Sequence, residues 1–341
     1  MSSIAILGII IIILCLVFDY INGFHDTANA IAIVVSTRVL SPRTAIIMAA
    51  TLDLVGALIG TTVAHTIIDG IIDMKLLNNS QFIVLAAIFS AILWNLVTWY
   101  FGIPSSSSHA LIGGLIGSAL AYGILHGADW HQFLKISSIT SKVIIPLFMS
   151  PILGFIAGFI IMVALYWIVY KMHPMKVKNV FAKFQILSSA LVALSHGMND
   201  AQKSMGLITM TLCISGFIAV PNVPLWVKFA CAIAMACGTL SGGWKIIKTM
   251  GNKIFKMETI HGFAAQASSA CVIFGSSLIG APISTTQVIS SSILGVGATK
   301  RLSAVRWGIA GHIVTAWFIT IPITALISGA FLWLLHIVFP M

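Results

Sequence analysis

Acidic residues are almost missing from this sequence, and charged residues of both signs are few. Asp and Glu together number eight among 341 residues, and charged residues make up 8% of the chain. A soluble domain carries about 25% charged residues, so this composition excludes a soluble globular protein. Hydrophobic residues make up 59% of the chain, and apolar runs of roughly 20 residues recur along it. The sequence therefore predicts an all-α membrane protein, a polytopic bundle of helices.

Cysteine is scarce as well. The five cysteines lie in apolar stretches without the spacing of metal ligands: Cys15, Cys213, Cys231, Cys237 and Cys271. We interpret them as small packing residues. The first apolar run has no basic residue before it, which indicates a membrane span rather than a cleaved signal peptide. No cofactor is predicted.

Ten apolar segments are predicted, and their order gives a topology. They cover 4–37, 43–68, 81–101, 109–125, 143–170, 181–215, 225–250, 259–279, 286–297 and 307–337. With the N-terminus outside, thirteen basic residues flank cytoplasmic connections: Arg38, Arg43, Lys171, Lys176, Lys178, Lys183, Lys245, Lys248, Lys253, Lys256, Lys300, Arg301 and Arg306. Four flank outside connections: Lys75, Lys135, Lys142 and Lys228. This bias predicts a protein of the cell (inner) membrane with both termini outside. It also explains the net charge of +10 without a nucleic-acid partner.

Segment lengths indicate irregular spans. A helix of about 34 residues reaches roughly 50 Å, whereas the hydrocarbon core is about 30 Å thick. The first and sixth segments are therefore predicted to be tilted or broken. The fourth and ninth are short, and this pattern is typical of broken helices and re-entrant helical hairpins.

The chain also repeats itself. The stretch "FHDTANA" matches "MNDAQKS" after a shift of 174 residues, which pairs Asp26 with Asp200. "GIPSSSSH" matches "GAPISTTQ" after a shift of 178. Each half has five segments, so the second half is predicted to be inverted in the membrane. The first repeat is 1–170, a short cytoplasmic connection is 171–183, and the second repeat is 184–341. Such repeats are typical of carriers that alternate access around a site at the midplane.

Four carboxylates fall inside apolar segments: Asp19, Asp26, Asp53 and Asp200. A carboxylate there is costly unless it is paired, protonated or bound to an ion, so its default interpretation is functional. The repeat favours this interpretation for Asp26 and Asp200, whereas Asp19 and Asp53 are left open between a functional and a structural role.

Amide and basic side chains accompany the two repeat-related aspartates. On a helix Asn22, Asp26 and Asn29 share one face, as do Asn199 and Lys203. Their oxygens suit a small cation, and their N–H groups suit an oxyanion. The coupling ion is assigned to Asp26, Asp200, Asn22 and His25, with Lys203 as a charge partner and Asn29 and Asn199 on the anion side.

Two hydroxyl triplets each follow a proline, which ends one helix and allows another to begin. They are Ser106, Ser107 and Ser108, and Ser284, Thr285 and Thr286. Hydroxyls and free N–H groups at a helix start bind anions, so the two triplets are predicted to clasp a tetrahedral oxyanion. An anion beside two aspartates needs positive charge, which predicts cation symport.

Histidines near these motifs have two interpretations. His25, His109 and His196 could carry a proton or orient an anion. For His109 and His196 a neutral structural histidine is favoured, and for His25 the two interpretations are balanced. An enzyme is disfavoured, because the histidine of "PSSSSH" becomes Gln287 in "PISTTQ". Two buried carboxylates per site likewise favour a carrier over a channel.

The motifs "NGFHDTANA", "PSSSSHALIG", "SHGMNDAQKSMG" and "PISTTQVISSS" resemble the paired signatures of the inorganic phosphate transporter (PiT) family over essentially the whole chain. The resemblance implies an inverted-repeat symporter with helical hairpins that carries inorganic phosphate. By it, Asp26, Asn29, Asn199, Asp200 and the hydroxyl triplets hold substrate and coupling ions.

Sodium-coupled members typically carry Asn at the position of His25, and this chain is more similar to the bacterial low-affinity branch. That branch is associated with proton coupling and with neutral metal–phosphate complexes. The resemblance therefore favours H⁺ as the coupling cation, with Na⁺ and a divalent metal carried with the phosphate left open. Sulfate permeases share the scaffold, so sulfate is the alternative substrate. The predicted partners are phosphate and the lipid bilayer, and a homodimer is left open.

Overall fold

The regular elements of the chain are helices wherever the structure, a computed structural model, describes it: residues 3–70, 81–127, 135–252 and 254–339. We number them α1 Ser3–Ser36, α2 Pro42–Leu58, α3 Thr62–Gly70, α4 Gln81–Phe101, α5 Ser107–Leu125, α6 Ile136–Val169, α7 Pro174–Ile214, α8 Leu225–Ser241, α9 Trp244–Asn252, α10 Thr259–Leu278, α11 Thr285–Lys300 and α12 Trp307–Val338. Helix α6 includes one π-helical stretch, Thr140–Ile144. Each predicted segment lies on one helix or on the pair α2/α3 or α8/α9.

Length and hydropathy identify a multi-pass membrane protein. Within the described ranges, six helices are long and apolar enough to cross a bilayer: α1, α4, α5, α6, α7 and α12. Counting each of the pairs α2/α3 and α8/α9 as one span raises this number to eight. The prediction of an all-α membrane protein is confirmed.

The two long segments, predicted to be tilted or broken, form unbroken helices. Helices α1 and α7 run without a break for 34 and 41 residues. The chain instead bends by 64° between α2 and α3 and by 67° between α8 and α9. The second bend contains Gly242 at φ 70°, a left-handed conformation that glycine adopts readily. Helix α7 is long because its polar first turns, with Lys176 and Lys178, extend it beyond the apolar segment.

The two hydroxyl triplets begin helices, as predicted. Gly102 at φ 66° and Gly280 at φ 73° end the preceding turns, and both positive angles favour glycine. The chain then extends to Ser106 and Ser284, the N-caps of α5 and α11. Ser106 Oγ accepts a hydrogen bond from the third residue of α5 (3.2 Å), and Ser284 Oγ accepts its counterpart in α11 (3.3 Å). The two helix starts are therefore built alike.

Several helices of each half pack against helices of the other half. Helix α1 packs on α8 and α7 on α2, while α5 packs on α12 and α11 on α6. Gly23 lies against the backbone of Met235 and Gly197 against the backbone of Asp53, so a Cβ at either glycine would clash with a main chain. These two glycines are 174 residues apart, which is the shift that relates the two aspartate motifs.

Two hydrophobic clusters enclose a polar centre. On α1, Ile11, Cys15 and Phe18 belong to one cluster and Ala30–Val34 to the other. The buried polar residues Asp19, Asn22 and Asp26 lie between them in sequence. Helix α7 has the same order, with buried polar residues between its apolar ends. The middle of the bundle is therefore where the candidate site lies.

Candidate functional site

Asp26 joins the two hydroxyl triplets. Its side chain is 1% exposed. Ser107 Oγ donates to Asp26 Oδ2 at 2.7 Å, and Thr286 Oγ1 donates to Asp26 Oδ1 at 2.8 Å. Ser107 begins α5 in the first half and Thr286 lies in the first turn of α11 in the second. One carboxylate on α1 thus receives a hydroxyl from each hairpin.

Asp200 on α7 occupies the related position and has a related partner. Thr285 Oγ1 donates to Asp200 Oδ2 at 3.3 Å, as Ser107 does to Asp26. The amide of Asn22 also donates to Asp200 Oδ2, at 3.3 Å, and so links the first half to the second. The two aspartates and both triplets therefore form one site.

Lys203 makes the two halves of the site unlike each other. Its ammonium group is 2.6 Å from Asp200 Oδ1, and the side chain is 1% exposed. The ammonium also donates to Ser108 Oγ at 2.5 Å and to the carbonyl of Ile283 at 3.3 Å. A buried ammonium is tolerated because each donor has an oxygen partner. The Lys203 ammonium thus links Ser108, the third hydroxyl of the first triplet, to Asp200.

A second buried pair extends the site toward α2 and α8. His196 Nδ1 is 2.9 Å from Asp53 Oδ1, and His196 Nε2 lies 3.5 Å from Asp200 Oδ2. Thr239 Oγ1 donates to Asp53 Oδ2 at 2.8 Å. His196 therefore stands between two carboxylates, which favours its functional interpretation over the structural one preferred from sequence.

His25 is the histidine beside Asp26, although the repeat pairs its position with Asn199. Its Nδ1 is 2.8 Å from Asp26 Oδ1, and its Nε2 is 3.1 Å from Thr98 Oγ1. Ser105, just before the first triplet, donates to the same threonine hydroxyl at 2.8 Å. The histidine thus links Asp26 to the end of α4, where the chain turns toward α5.

Most of the predicted site residues meet here: Asn22, His25, Asp26, Ser107, Ser108, Asp200, Lys203, Thr285 and Thr286. Ser106 and Ser284 serve as N-caps instead of facing the carboxylates. The Asn199 amide donates to Ser277 Oγ at 2.9 Å and to the Ala281 carbonyl at 3.3 Å. The side chain of Asn29 lies outside the described residues, so its role stays a prediction.

Several residues of this hydrogen-bond network carry little signal in the sequence. Asp53 was left open and His196 was interpreted as structural, while Thr98 and Thr239 were not considered. His196 carried a usable signal, since it lies four residues before Asp200 and so faces the same side of the helix. The threonines carried none, because a hydroxyl in a membrane helix commonly bonds to its own backbone.

The site offers ligands for a cation. One oxygen from each of Asp26 and Asp200 and a ring nitrogen of His196 lie within 4.8 Å of one another. The amide oxygens of Asn22 and Asn199 are buried and have no hydrogen-bond partner among the described residues. Carboxylate, imidazole and amide ligands together suit divalent metals as well as hard cations.

Comparison with known proteins identifies the family of this chain. A model of the phosphate transporter family matches residues 22–328. The chain is 47% identical over 340 residues to a probable low-affinity inorganic phosphate transporter of Bacillus subtilis (strain 168), covering 99% of this chain and 100% of that protein. It is 45% identical to a protein of the same name from Rhizobium meliloti (strain 1021), covering 94% and 93%.

A solved structure of the sodium-dependent phosphate transporter is similar with a TM-score of 0.85, covering 98% of this chain and 100% of that one. At 24% identity, this likeness establishes the fold alone. The curated relatives are named as transporters, which agrees with a protein that is not an enzyme. The family model, matched over most of the chain, establishes that this protein belongs to the phosphate transporter family.

Proposed function

We propose that this protein imports inorganic phosphate by symport with protons, through alternating access to the site around Asp26 and Asp200. One observation carries the proposal. The hydroxyls that begin α5 and α11 donate to these two carboxylates, from both halves of the chain. The hydroxyls that would bind the anion and the carboxylates that would bind the coupling ion therefore form one network. Binding of the ion to a carboxylate changes which hydroxyls can donate to the anion.

The network supports a coupling mechanism. Ser107 and Thr286 donate their hydroxyl hydrogen bonds to Asp26, so they are not free to donate to an anion. A proton on Asp26 removes the negative charge that holds those hydroxyls, because charge-assisted hydrogen bonds are the stronger ones. The hydroxyls can then turn toward phosphate. In the second half, a proton on Asp200 would release the Thr285 hydroxyl toward phosphate in the same way.

Charge balance supports symport as well. Of the three carboxylates Asp26, Asp53 and Asp200, only Asp200 is paired with the Lys203 ammonium, so this set of side chains carries negative charge when His25 and His196 are neutral. A phosphate anion added to this buried set would be repelled. A proton on Asp26 or Asp200 restores the balance and enters together with the substrate.

Alternating access rests on the inverted repeat. The exchanged packing of the helices and the matched glycines support two structurally equivalent halves. The repeat-related residues His109 and Gln287 also touch each other, with nitrogen atoms 3.4 Å apart, as expected near an axis that relates the halves. We place the site at the midplane of the inner membrane, with both termini outside.

Two other cations have specific support. A divalent metal carried with phosphate fits the cluster of Asp26, His196 and Asp200. Sodium fits the buried, unpaired amide oxygen of Asn199, an oxygen ligand beside Asp200 in the chain. Protons remain the proposed coupling ion because Lys203, as a fixed cation, already occupies one carboxylate oxygen.

Uptake of labelled phosphate into proteoliposomes tests the proposal, with the pH and sodium gradients imposed separately at a clamped membrane potential. We expect uptake driven by an inward proton gradient and retained in choline or potassium buffer. Uptake that requires sodium at constant pH would overturn proton coupling in favour of sodium. Uptake that requires Mg²⁺ or Zn²⁺, with the metal accumulating alongside phosphate, would identify a metal–phosphate complex as the substrate.

A further inference from the structure

Asn95 on α4 is a buried amide that the network above does not use. Its side chain is 0% exposed, and both its amide nitrogen and its amide oxygen lack a hydrogen-bond partner within the described part of the chain. Leaving such groups unpaired costs about 1–3 kcal/mol each. A buried residue with both amide atoms unpaired is a candidate for contact with a ligand.

The register of α1 and α4 puts Asn95 at the same level as Asn22. The two helices run parallel: a Cβ built at Gly8 lies 3.7 Å from Gln81 Nε2, and His25 Nε2 lies 3.1 Å from Thr98 Oγ1. Both contacts join residues 73 apart, and so does the pair Asn22 and Asn95. Each asparagine lies three residues before the His25–Thr98 contact, on the face that makes it.

Asn22 connects Asn95 to the hydroxyl groups that are predicted to hold the anion. Its amide nitrogen donates to the Asp200 oxygen that also accepts from Thr285, while its amide oxygen is buried without a partner among the described residues. The Asn22–Asn95 pair therefore offers two free carbonyl oxygens and one free NH₂ group next to the hydroxyls.

We propose that the Asn22–Asn95 pair recognises the protonated face of the substrate and so selects phosphate over sulfate. This inference rests on the proposed function. Near neutral pH inorganic phosphate keeps at least one P–O–H group, which donates to an amide oxygen, while its other oxygens accept from the Asn95 NH₂ group. Sulfate has the same shape but no proton to donate, so it leaves the amide oxygens unpaired. Sites built around a substrate hydroxyl reject analogues that lack it for this reason.

The chemistry separates four tetrahedral anions into two classes. Arsenate keeps an As–O–H group as phosphate does, whereas selenate resembles sulfate in having none. Competition of unlabelled anions against ³²P-phosphate, measured on the purified protein in detergent, therefore tests recognition of the proton apart from size and charge. We expect wild type to bind phosphate and arsenate and to reject sulfate and selenate.

The test variant is Asn95→Leu, which keeps the approximate shape of the side chain and removes both polar atoms. We expect phosphate and arsenate affinities to fall about tenfold or more, while sulfate affinity does not fall, so the phosphate-to-sulfate ratio drops by at least about tenfold. The melting temperature should stay equal or rise, because two unpaired polar atoms leave the interior. A merely structural residue would instead lower the melting temperature and leave the ratio alone.

Ser90→Ala is the matched control, since Ser90 is a buried polar residue of the same helix whose hydroxyl donates to its own backbone, the Ala87 carbonyl. It should change neither affinity nor ratio. If Asn95→Leu does not give a monodisperse protein, Asn95→Ser takes its place, with the same fall in ratio expected. An unchanged ratio in a folded variant overturns this inference while leaving phosphate transport standing. A wild type that binds no phosphate overturns the proposed function and this inference with it.

Discussion

Asp26 and Asp200 are related by the repeat, but their counterions differ. Lys203 lies 2.6 Å from Asp200, whereas the basic group nearest Asp26 in the network is His25, at 2.8 Å. Lysine keeps its charge more firmly than histidine does, since only histidine titrates near neutral pH when unperturbed. The two related carboxylates therefore differ in their partners: Asp200 is paired with an ammonium group and Asp26 with an imidazole.

This difference separates the consequences of two equivalent substitutions. We expect Asp26→Asn and Asp200→Asn each to abolish concentrative phosphate uptake. Asp200→Asn should also destabilise the protein by about 3–5 kcal/mol, because it leaves the Lys203 ammonium buried without its counterion. Asp26→Asn should lower the melting temperature less. Uptake into proteoliposomes and thermal unfolding in detergent measure the two effects.

The double variant Asp200→Asn with Lys203→Met serves as the control. It removes the charge and its counterion together, so the melting temperature should recover while uptake stays absent. Normal uptake by either single variant would contradict the assignment of the coupling site to these aspartates.

The hydroxyls of Ser107 and Thr285 give a second prediction. Ser107→Ala and Thr285→Ala should each weaken phosphate binding, because each removes one donor to the anion. A hydrogen bond to a charged group contributes about 1.5–3 kcal/mol, or roughly 10- to 100-fold in affinity. Ser118→Ala is the comparison on α5, since Ser118 is buried and donates to its own helix at Gly114. Equilibrium binding of ³²P-phosphate distinguishes them, and equal affinity in all three variants would exclude the clasp.

The hairpins are the elements that aim these hydroxyls. Gly102 and Gly280 have positive φ angles of 66° and 73° and direct the chain into the two helix starts. At Gly280 a Cβ would also lie 2.9 Å from the side chain of Thr62 on α3. The second turn is therefore constrained by its backbone conformation and by its neighbour, and the first mainly by its conformation.

Alanine at these glycines should strain the turns and disturb the anion donors. A left-handed conformation costs a non-glycine residue about 1–2 kcal/mol, so we expect Gly102→Ala and Gly280→Ala to lower the melting temperature and phosphate affinity, Gly280→Ala more. Gly275→Ala is the control: it lies on α10, with no heavy atom within 4 Å of the added Cβ. It should leave affinity unchanged and be neutral or stabilising. If all three variants behaved alike, the turns would not be what positions the hydroxyls.

The elements also show what could be predicted from sequence. Hydropathy located the segments, and the spacing of "GIPSSSSH" and "GAPISTTQ" predicted both helix starts. Hydropathy reports how apolar a stretch is but not its path, so it predicts that the α1 and α7 segments are tilted or broken and does not locate the bends after α2 and α8. The "SGGW" sequence at Ser241 did carry a signal for the second break, because paired glycines disfavour helix.

The repeat predicted a site shared by both halves, but the individual contacts between the halves had no sequence signal. Thr286 donates to Asp26 from 260 residues away, and Asn22 donates to Asp200 from 178 residues away. A single sequence identifies residues that share a helix face, but not which face of which helix they meet. The direction of Asn199 toward Ser277 was beyond prediction for the same reason.

At the scale of the whole molecule, the repeat and the basic residues make one joint prediction about orientation. With each of the pairs α2/α3 and α8/α9 counted as one span, we predict an odd number of crossings in each half, whether its α4/α5 or α10/α11 helices span the membrane or re-enter it. An odd half places its two ends on opposite sides, so the two halves together return the chain to its starting side. The basic connection around Lys171 and Lys176 should then lie in the cytoplasm, as the positive-inside rule requires.

Reporter fusions in a bacterial host test this orientation directly. Alkaline phosphatase is active only outside the inner membrane, whereas green fluorescent protein fluoresces after folding in the cytoplasm. We expect a fusion at the C-terminus to give phosphatase activity without fluorescence, and a fusion after Met172, between α6 and α7, to give the reverse. Replacing the basic residues of that connection, Lys171, Lys176 and Lys178, with Gln should weaken the preference at both sites. The same reporter active at both sites would mean an even number of crossings in the second half, and that result would contradict the inverted repeat.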